Sequence, residues 1–174
     1  MKALTEILLG KDLRSIGRVN EIIEFISDQE SFDELFGLLM HHERLLVMRA
    51  ADAIEKVTIS RPEFLAPHKG QLLSLLKSSV HKELKWHLAL LVSRLKLDDN
   101  EFDDVWDLIT YWVQNPNESK IVRVNSLQAL FELSKTRTQY KSKFSDIIGK
   151  LEHTSIPSLN ARIRKLKNAV GFAQ

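Results

Sequence analysis

Apolar residues recur along most of the chain at intervals of three and four positions. Phe32, Leu35, Phe36 and Leu39 occupy positions i, i+3, i+4 and i+7, which lie on one face of an α-helix. The same pattern returns in three further segments, at residues 72–76, 105–113 and 144–151. The pattern therefore predicts a series of amphipathic helices.

A second set of predicted helices alternates with the first and is richer in small or wholly apolar residues, at 44–58, 82–96, 119–135 and 158–170. Short polar or proline-containing turns separate the helices, at 98–100, 115–117 and 154–157. Because no linker longer than about ten residues is needed, we expect antiparallel helix pairs within one domain that spans residues 1–174.

Local signals predict where some of these helices begin. Ser31 is followed three residues later by Glu34, which is the spacing of a capping box at a helix start. Pro157 suits the first turn of a helix, where its missing N–H is not needed. Pro62 and Pro67 predict a helix that either starts late or is kinked.

The second helix of each pair repeats at a fixed spacing. Residues 50–57 read Ala-Ala-Asp-Ala-Ile-Glu-Lys-Val, residues 88–95 read Leu-Ala-Leu-Leu-Val-Ser-Arg-Leu, and residues 126–133 read Ser-Leu-Gln-Ala-Leu-Phe-Glu-Leu. Ile54, Val92 and Leu130 are each 38 residues apart. Weaker matches place Ile23 and Leu166 in the same series. A constant period of this length is typical of helical-repeat proteins.

Residues 123–133 resemble the second helix of a HEAT repeat, with Arg123 as the leading basic residue and small residues before a leucine. Residues 50–54 resemble it too, although Val47 stands where the basic residue would be, and residues 82–96 depart further because they are nearly apolar all round. The resemblance implies a right-handed α-α superhelix of about four to five antiparallel helix pairs, of the armadillo/HEAT type. The implied repeats are 1–29 (partial), 31–59, 62–97, 100–136 and 138–171.

A compact helical bundle would use the same helices with different connections. The repeated 38-residue spacing favours the solenoid, since one helix pair cannot bury its apolar stripe alone and needs stacked neighbours.

Composition narrows the class of protein. The chain is 44% hydrophobic and 28% charged and has no cysteine, which removes disulfides, thiolate metal ligands and cysteine nucleophiles. The N-terminus lacks the long apolar region of a signal peptide, and the longest apolar run, residues 88–92, is too short to span a bilayer. We therefore expect a soluble cytoplasmic protein that does not bind membranes.

Motifs for catalysis, cofactors and metals are missing. The sequence has no Gly-x-x-x-x-Gly-Lys or Gly-x-Gly-x-x-Gly loop, no Gly-x-Ser-x-Gly elbow, and no His-Glu-x-x-His or His-x-x-x-His pair. His41 and His42 are adjacent and would point about 100° apart on a helix. We predict no catalytic residue, no cofactor and no metal site.

Net charge is distributed unevenly along the chain. The total of +2 combines −5 in residues 1–115 with +7 in residues 116–174. The last predicted helix carries four cations, Arg162, Arg164, Lys165 and Lys167. They either form a solvated end of the stack or contact phosphates or another polyanion, and both interpretations stay open.

One aromatic residue raises the question of an enzyme. Some HEAT-like DNA glycosylases hold a damaged base with aromatic and acidic residues, and Trp106 beside Asp107 is loosely similar to that arrangement. This least favoured hypothesis requires Trp106 to line an open pocket beside a carboxylate. Trp112 continues the apolar stripe of residues 105–113, so we expect it in the core.

The repeat register also predicts which polar side chains share a face. In HEAT proteins the second helices line the concave surface, so the resemblance implies an inward-facing polar row of Arg49, Asp52, Lys56, His87, Arg94, Asn125 and Gln128. Such a row can recognise a helix or an extended peptide, or its members are ordinary solvated positions. The favoured function is a non-enzymatic interaction module or adaptor for an unidentified protein partner. The alternative is a nucleic-acid-binding helical-repeat protein that uses the basic final third.

Overall fold

The computed structural model describes residues 2–9, 16–152 and 154–170. Across these residues the secondary structure consists of ten α-helices and two 3₁₀ helices, without a β-strand. This confirms the prediction of an all-α fold. The chain divides into two compact units, Met1–Gly70 and Gln71–Gln174.

The first unit is built around its longest helix. Its elements are α1 (Lys2–Leu9), α2 (Ile16–Phe25), α3 (Gln29–Gly37), a 3₁₀ helix (Leu38–Met40), α4 (Arg44–Ser60) and a second 3₁₀ helix (Pro62–His68). Helix α4 contacts α1, α2 and α3. Ala50, Ala51 and Ala53 of α4 are fully buried, and their small side chains let the neighbouring helices approach closely.

Helix α3 begins three residues earlier than the sequence suggests. Asp28 is the N-cap, and its carboxylate accepts a hydrogen bond from the Ser31 backbone N–H at 2.9 Å. The Ser31 hydroxyl in turn accepts one from the Asp28 N–H at 3.2 Å. The prediction that Ser31 caps this helix with Glu34 is therefore wrong, because Asp28 and Ser31 form the same reciprocal arrangement one turn upstream.

The second 3₁₀ helix packs on α3 through Phe64 and His68, whose rings both lie against Phe32. The His68 ring stacks on the Phe36 ring, with centroids 3.9 Å apart, and its Nε2 lies 2.7 Å from Asp33. A hydrogen bond from Gln29 lowers the pKa of the Asp33 carboxyl; slight burial opposes this and His68 adds to it. Regular α-helix resumes only at Lys69, so the prolines at 62 and 67 delay the helix, as one of the two predicted alternatives states.

The second unit is arranged around another central helix. Its elements are α5 (Lys69–Ser78, which starts two residues before the unit boundary), α6 (Lys82–Val92), α7 (Asp99–Gln114), α8 (Lys120–Thr136), α9 (Gln139–Leu151) and α10 (Pro157–Val170). Helix α8 contacts α6, α7, α9 and α10. Pro157 is the first residue of α10, as predicted.

Helix α6 is shorter than predicted, ending at Val92 instead of Lys96. The Ser93 hydroxyl donates to the Leu90 carbonyl at 2.7 Å. The next two amides, of Arg94 and Leu95, bond to carbonyls three residues back. Helices commonly end in these two ways: a side-chain hydroxyl donates a hydrogen bond to a backbone carbonyl, or the last turn tightens into 3₁₀ geometry.

The residues that define the 38-residue register form part of the core. Ile54, Val92 and Leu130 lie on α4, α6 and α8, and all three are fully buried. Leu166 on α10 is also buried, whereas Ile23 is half-buried. The spacing therefore identified equivalent core positions on the second helices.

In both units an arginine side chain bonds to backbone carbonyls of an earlier helix end or turn. In the first unit, Arg61 donates to the carbonyls of Ile23 and Ile26, at the end of α2. In the second unit, Arg137 donates to the carbonyls of Leu97 and Asp98 at 3.1 and 3.0 Å. We call Arg61 and Arg137 the arginine clamps. They supply donors to backbone carbonyls at the end of α2 and in the turn before α7, of which only the Asp98 carbonyl also accepts a backbone N–H from a described residue, that of Phe102.

A partly buried ion pair joins α6 to the turn that follows α7. Lys85 Nζ lies 2.7 Å from Glu118 Oε2, and the two side chains are only 18% and 12% exposed. Burial alone would raise the pKa of Glu118. The hydrogen bonds from Lys85 and the Ser119 N–H outweigh it, and the pKa lies below its ordinary value of 4.5.

We predict that this ion pair makes stability depend on pH. The pKa of Glu118 is lower in the folded chain than in the unfolded chain. The ion pair therefore contributes to the free energy of unfolding above about pH 4.5, and this contribution is lost as the pH falls. The free energy of unfolding, measured by urea denaturation at about pH 6.5 and about pH 4, should fall more in the wild type than in Glu118→Gln. Equal falls in the two proteins would show that the pair does not contribute.

Candidate partner-binding surface

In the first unit, the polar row contains one exposed ion pair and one structural arginine. Asp52 and Lys56 are one turn apart on α4, with Lys56 Nζ 2.8 Å from Asp52 Oδ2 and both side chains partly exposed. Arg49 is half-buried and donates to the Leu8 carbonyl at the end of α1. Asp52 and Lys56 are therefore accessible to a partner, whereas Arg49 holds α1 on α4.

In the second unit, the row is interrupted by a buried residue. His87 is 1% exposed, so the fold leaves almost none of its side chain for a partner. Arg94 and Asn125 are half-buried. The Asn125 side chain donates to the Ile121 carbonyl of its own helix at 3.0 Å, which leaves its amide oxygen without a hydrogen-bond partner among the described residues.

Gln128 connects the polar row to the basic last helix. Arg162 Nη1 of α10 donates to Gln128 Oε1 at 2.5 Å, and Gln128 Nε2 donates to Glu132 Oε1 at 2.8 Å. Glu132 also forms an ion pair with Lys135. We call these four residues the α8–α10 network. The structure thus brings together two groups of predicted site residues that the sequence gives no reason to connect.

The four cations of α10 differ in their surroundings. Arg162 belongs to the α8–α10 network, and Lys167 forms an ion pair with Glu152 at the end of α9. Arg164 and Lys165 are exposed and have no hydrogen-bond or ion-pair partner within the described part of the chain. Two of the four predicted polyanion contacts therefore stabilise helix packing, and two are available to a ligand.

Trp106 does not line an open pocket. Its side chain is 3% exposed and packs against the rings of Phe102 and Tyr140, with the Tyr140 centroid 4.6 Å away. This contradicts the glycosylase-like hypothesis, which requires an accessible tryptophan beside a carboxylate. Trp112 is equally buried, as its place in the apolar stripe predicts.

In the part of the chain that the structure describes, the polar side chains are not arranged as a set of metal ligands. Residues 2–9, 16–152 and 154–170 contain no cluster of three His, Cys, Asp or Glu side chains that could hold a metal ion. The acidic residues near α7 have a structural role, since Asp98 caps the helix and pairs with Glu101 in a capping box. Among the same residues, no helix combines the length and apolarity needed to cross a membrane.

Sequence reasoning did not predict which contacts the basic residues make between helices. Arg61 and Arg137 are twice 38 residues apart, and Asp99, at the position between them, accepts a hydrogen bond from Arg137 at 2.5 Å. Lys85 is 38 residues before Arg123, which is buried and donates from Nε to the Val113 carbonyl at 2.8 Å. Extending the register from apolar to charged residues would have aligned Arg61 with Asp99 and Arg137, and Lys85 with Arg123.

The fold and its repeated contacts define a helical-repeat protein. The family model of the HEAT repeat domain matches residues 9–170. The chain therefore belongs to the HEAT repeat family, whose domains are typically non-catalytic scaffolds. No curated protein and no solved structure matches the chain.

Proposed function

We propose that this chain is a cytoplasmic, non-enzymatic adaptor that binds a protein partner along the polar side of its second helices. We also propose that these helices are stacked as a right-handed superhelix of four to five pairs, with the polar row on its concave face. The α8–α10 network carries the proposal, because it joins polar groups of two second helices into one partly exposed surface.

Accessibility decides which members of the row make contact. Asp52 and Lys56 in the first unit and Asn125 and Gln128 in the second are partly exposed. Asp52 and Lys56 present a negative and a positive charge, and the Asn125 amide oxygen can still accept a hydrogen bond. Mixed charges and amides on helices suit recognition of a helix or an extended peptide, where partner charges set the register and exclude wrong sequences.

Two variants test this surface without disturbing helix packing. The charge swap Asp52→Lys with Lys56→Asp keeps an ion pair one turn apart but reverses its pattern. Asn125→Arg adds bulk and charge at a side chain whose only hydrogen bond is within its own helix. Lys150→Glu is the matched control, because Lys150 is an exposed lysine of α9, outside the second helices.

We expect both variants to capture at least about tenfold less of the wild-type partner from lysate of the native host, since like charges opposed at an interface cost several kcal/mol. Captured proteins are quantified by mass spectrometry, and thermal melting checks that each variant is folded. Capture that is unchanged in both variants, or lost equally in Lys150→Glu, would contradict this choice of surface.

Nucleic-acid binding is the second candidate, and the exposure of Arg164 and Lys165 favours it. If these residues contact phosphates, affinity for a mixed-sequence 20-nucleotide DNA or RNA should fall steeply with salt. The double variant Arg164→Glu with Lys165→Glu should reduce the slope of log affinity against log salt by about 2. Fluorescence anisotropy measures both effects, and binding that survives the double variant rejects this candidate.

A further inference from the structure

The first residues of α6 and α8 are exposed lysines that make no contact with the rest of the fold. Lys82 and Lys120 are 38 residues apart, and neither has a hydrogen-bond or ion-pair partner among the residues that the structure describes. The macrodipole favours acidic residues at the start of a helix and makes cations there slightly unfavourable. Helix stability therefore explains neither lysine.

The starts of these two helices lie side by side in the second unit. Helix α6 packs against α8, and the ion pair of Lys85 with Glu118 joins the first turn of α6 to the turn before α8. The axes of packed helices are about 8–10 Å apart. One short segment of a partner can therefore reach Lys82 and Lys120 together.

Accessible apolar side chains lie next to these lysines. Ile121 of α8 is 46% exposed, and Trp86 of α6 and Val124, at the equivalent position 38 residues later, are half-buried. We call these three side chains the apolar patch. Trp86 lies one turn after Lys82, on the side of α6 from which Lys85 reaches the turn before α8. Tryptophan is among the residue types enriched at binding hot spots.

The charges around the apolar patch are positive in sum. Residues 79–93 and 115–131 contain four lysine or arginine residues and two glutamates, a net charge of +2. Glu118 is paired with Lys85, and Glu83 is half-buried with one carboxylate oxygen shielded from solvent. The exposed, unpaired charges are therefore the two lysines, and charge complementarity favours an acidic ligand.

We propose that α6 and α8 bind an extended acidic segment of the protein partner. One large apolar side chain lies on the apolar patch, and the carboxylates two residues to either side pair with Lys82 and Lys120. Residues i−2, i and i+2 of an extended chain point to the same face, and the outer two are about 13 Å apart. This distance is within reach of two lysine side chains on adjacent helices.

Two further features agree with this ligand. The N-cap of α6, His81, makes no side-chain capping bond, so a carboxylate beside Lys82 also meets backbone N–H groups that no side chain caps. Asn125 of the polar row lies one turn after Ile121, so the apolar patch adjoins the polar row. The inference rests on the proposed function, because it states the chemistry of the segment by which the adaptor's partner binds.

Three fluorescently labelled peptides of nine residues serve as the probes. The first has a central leucine with glutamate two residues to either side, the second has lysines in place of the glutamates, and the third has alanine in place of the leucine. Fluorescence anisotropy with the full chain measures each affinity. We expect the first peptide to bind at least about tenfold more tightly than either of the others, since it alone supplies both the apolar contact and the opposite charges.

A double charge reversal assigns this binding to α6 and α8. Lys82→Glu with Lys120→Glu should reverse the preference, so that the lysine peptide binds more tightly than the glutamate peptide. The macrodipole favours glutamate at a helix start, so the melting temperature should not fall. Lys141→Glu with Lys150→Glu is the matched control, because it makes the same change at two exposed lysines of α9. It should leave the preference unchanged.

A second variant tests the apolar patch. Ile121→Glu should weaken binding of the glutamate peptide at least about tenfold, because it removes apolar area and places a like charge against the ligand. Ile59→Glu makes the same change at an isoleucine of α4 that is 68% exposed. It should alter the affinity less than about twofold, and both variants should melt close to the wild type.

Other results overturn the inference. They are undetectable binding of the glutamate peptide, equal binding of the lysine or alanine peptide, and an unchanged preference in Lys82→Glu with Lys120→Glu. The proposed function fails separately. If Asn125→Arg lowers partner capture and Ile121→Glu does not, the inference is wrong and the adaptor proposal stands. If Ile121→Glu lowers capture and neither polar-row variant does, the polar row is rejected and the apolar patch is kept.

Discussion

Backbone carbonyls at helix ends and turns need hydrogen-bond donors, and in this chain arginines from the next helix pair supply them. Arg61 reaches the end of α2, and Arg137 reaches the turn between α6 and α7. A guanidinium group suits this role because it presents several donors in a fixed plane. Arg137 also stacks on the Phe102 ring, 4.2 Å from its centre, so one side chain combines hydrogen bonding with aromatic packing.

These contacts determine which surfaces are left for partners. Arg49, Arg123 and Arg137 are committed to backbone carbonyls, and Lys85 is committed to Glu118. The basic residues that hold the helices together are therefore different from those that remain exposed, such as Arg164 and Lys165. Net charge alone does not separate the two groups, whereas burial and hydrogen-bond partners do.

Periodicity predicted the helices and the equivalent core positions, because both depend on spacing along the chain. Ile54, Val92 and Leu130 are buried where the register places them. The same register aligned His87 with Arg49 and Asn125, which are half-buried, whereas His87 is 1% exposed, because equivalent residues share a helix face but not the same depth. How deeply a residue is buried depends on how neighbouring helices pack, and a local sequence pattern does not predict that packing.

The first residue of α3 was equally hard to predict, because two pairs of residues have the spacing of a capping box. Asp28–Ser31 and Ser31–Glu34 both have capping-box spacing, and only the three-dimensional structure shows that the first pair starts α3. The α8–α10 network also depends on the distance between helices that are far apart in sequence. Gln128 and Arg162 are 34 residues apart, and neither residue type indicates the other as its partner.

One arginine clamp in each unit bonds to backbone carbonyls of an earlier helix or turn, and the free energy of unfolding of Arg137→Met tests the importance of these contacts most directly. Urea denaturation should show a loss of about 1–3 kcal/mol, because the Leu97 carbonyl loses its donor, the Asp98 carbonyl keeps only the Phe102 N–H, and the contact with the Phe102 ring is lost. Arg164→Met, the same change at an exposed arginine, should stay within about 0.5 kcal/mol of the wild type. Equal free energies of unfolding for the two variants would contradict the account.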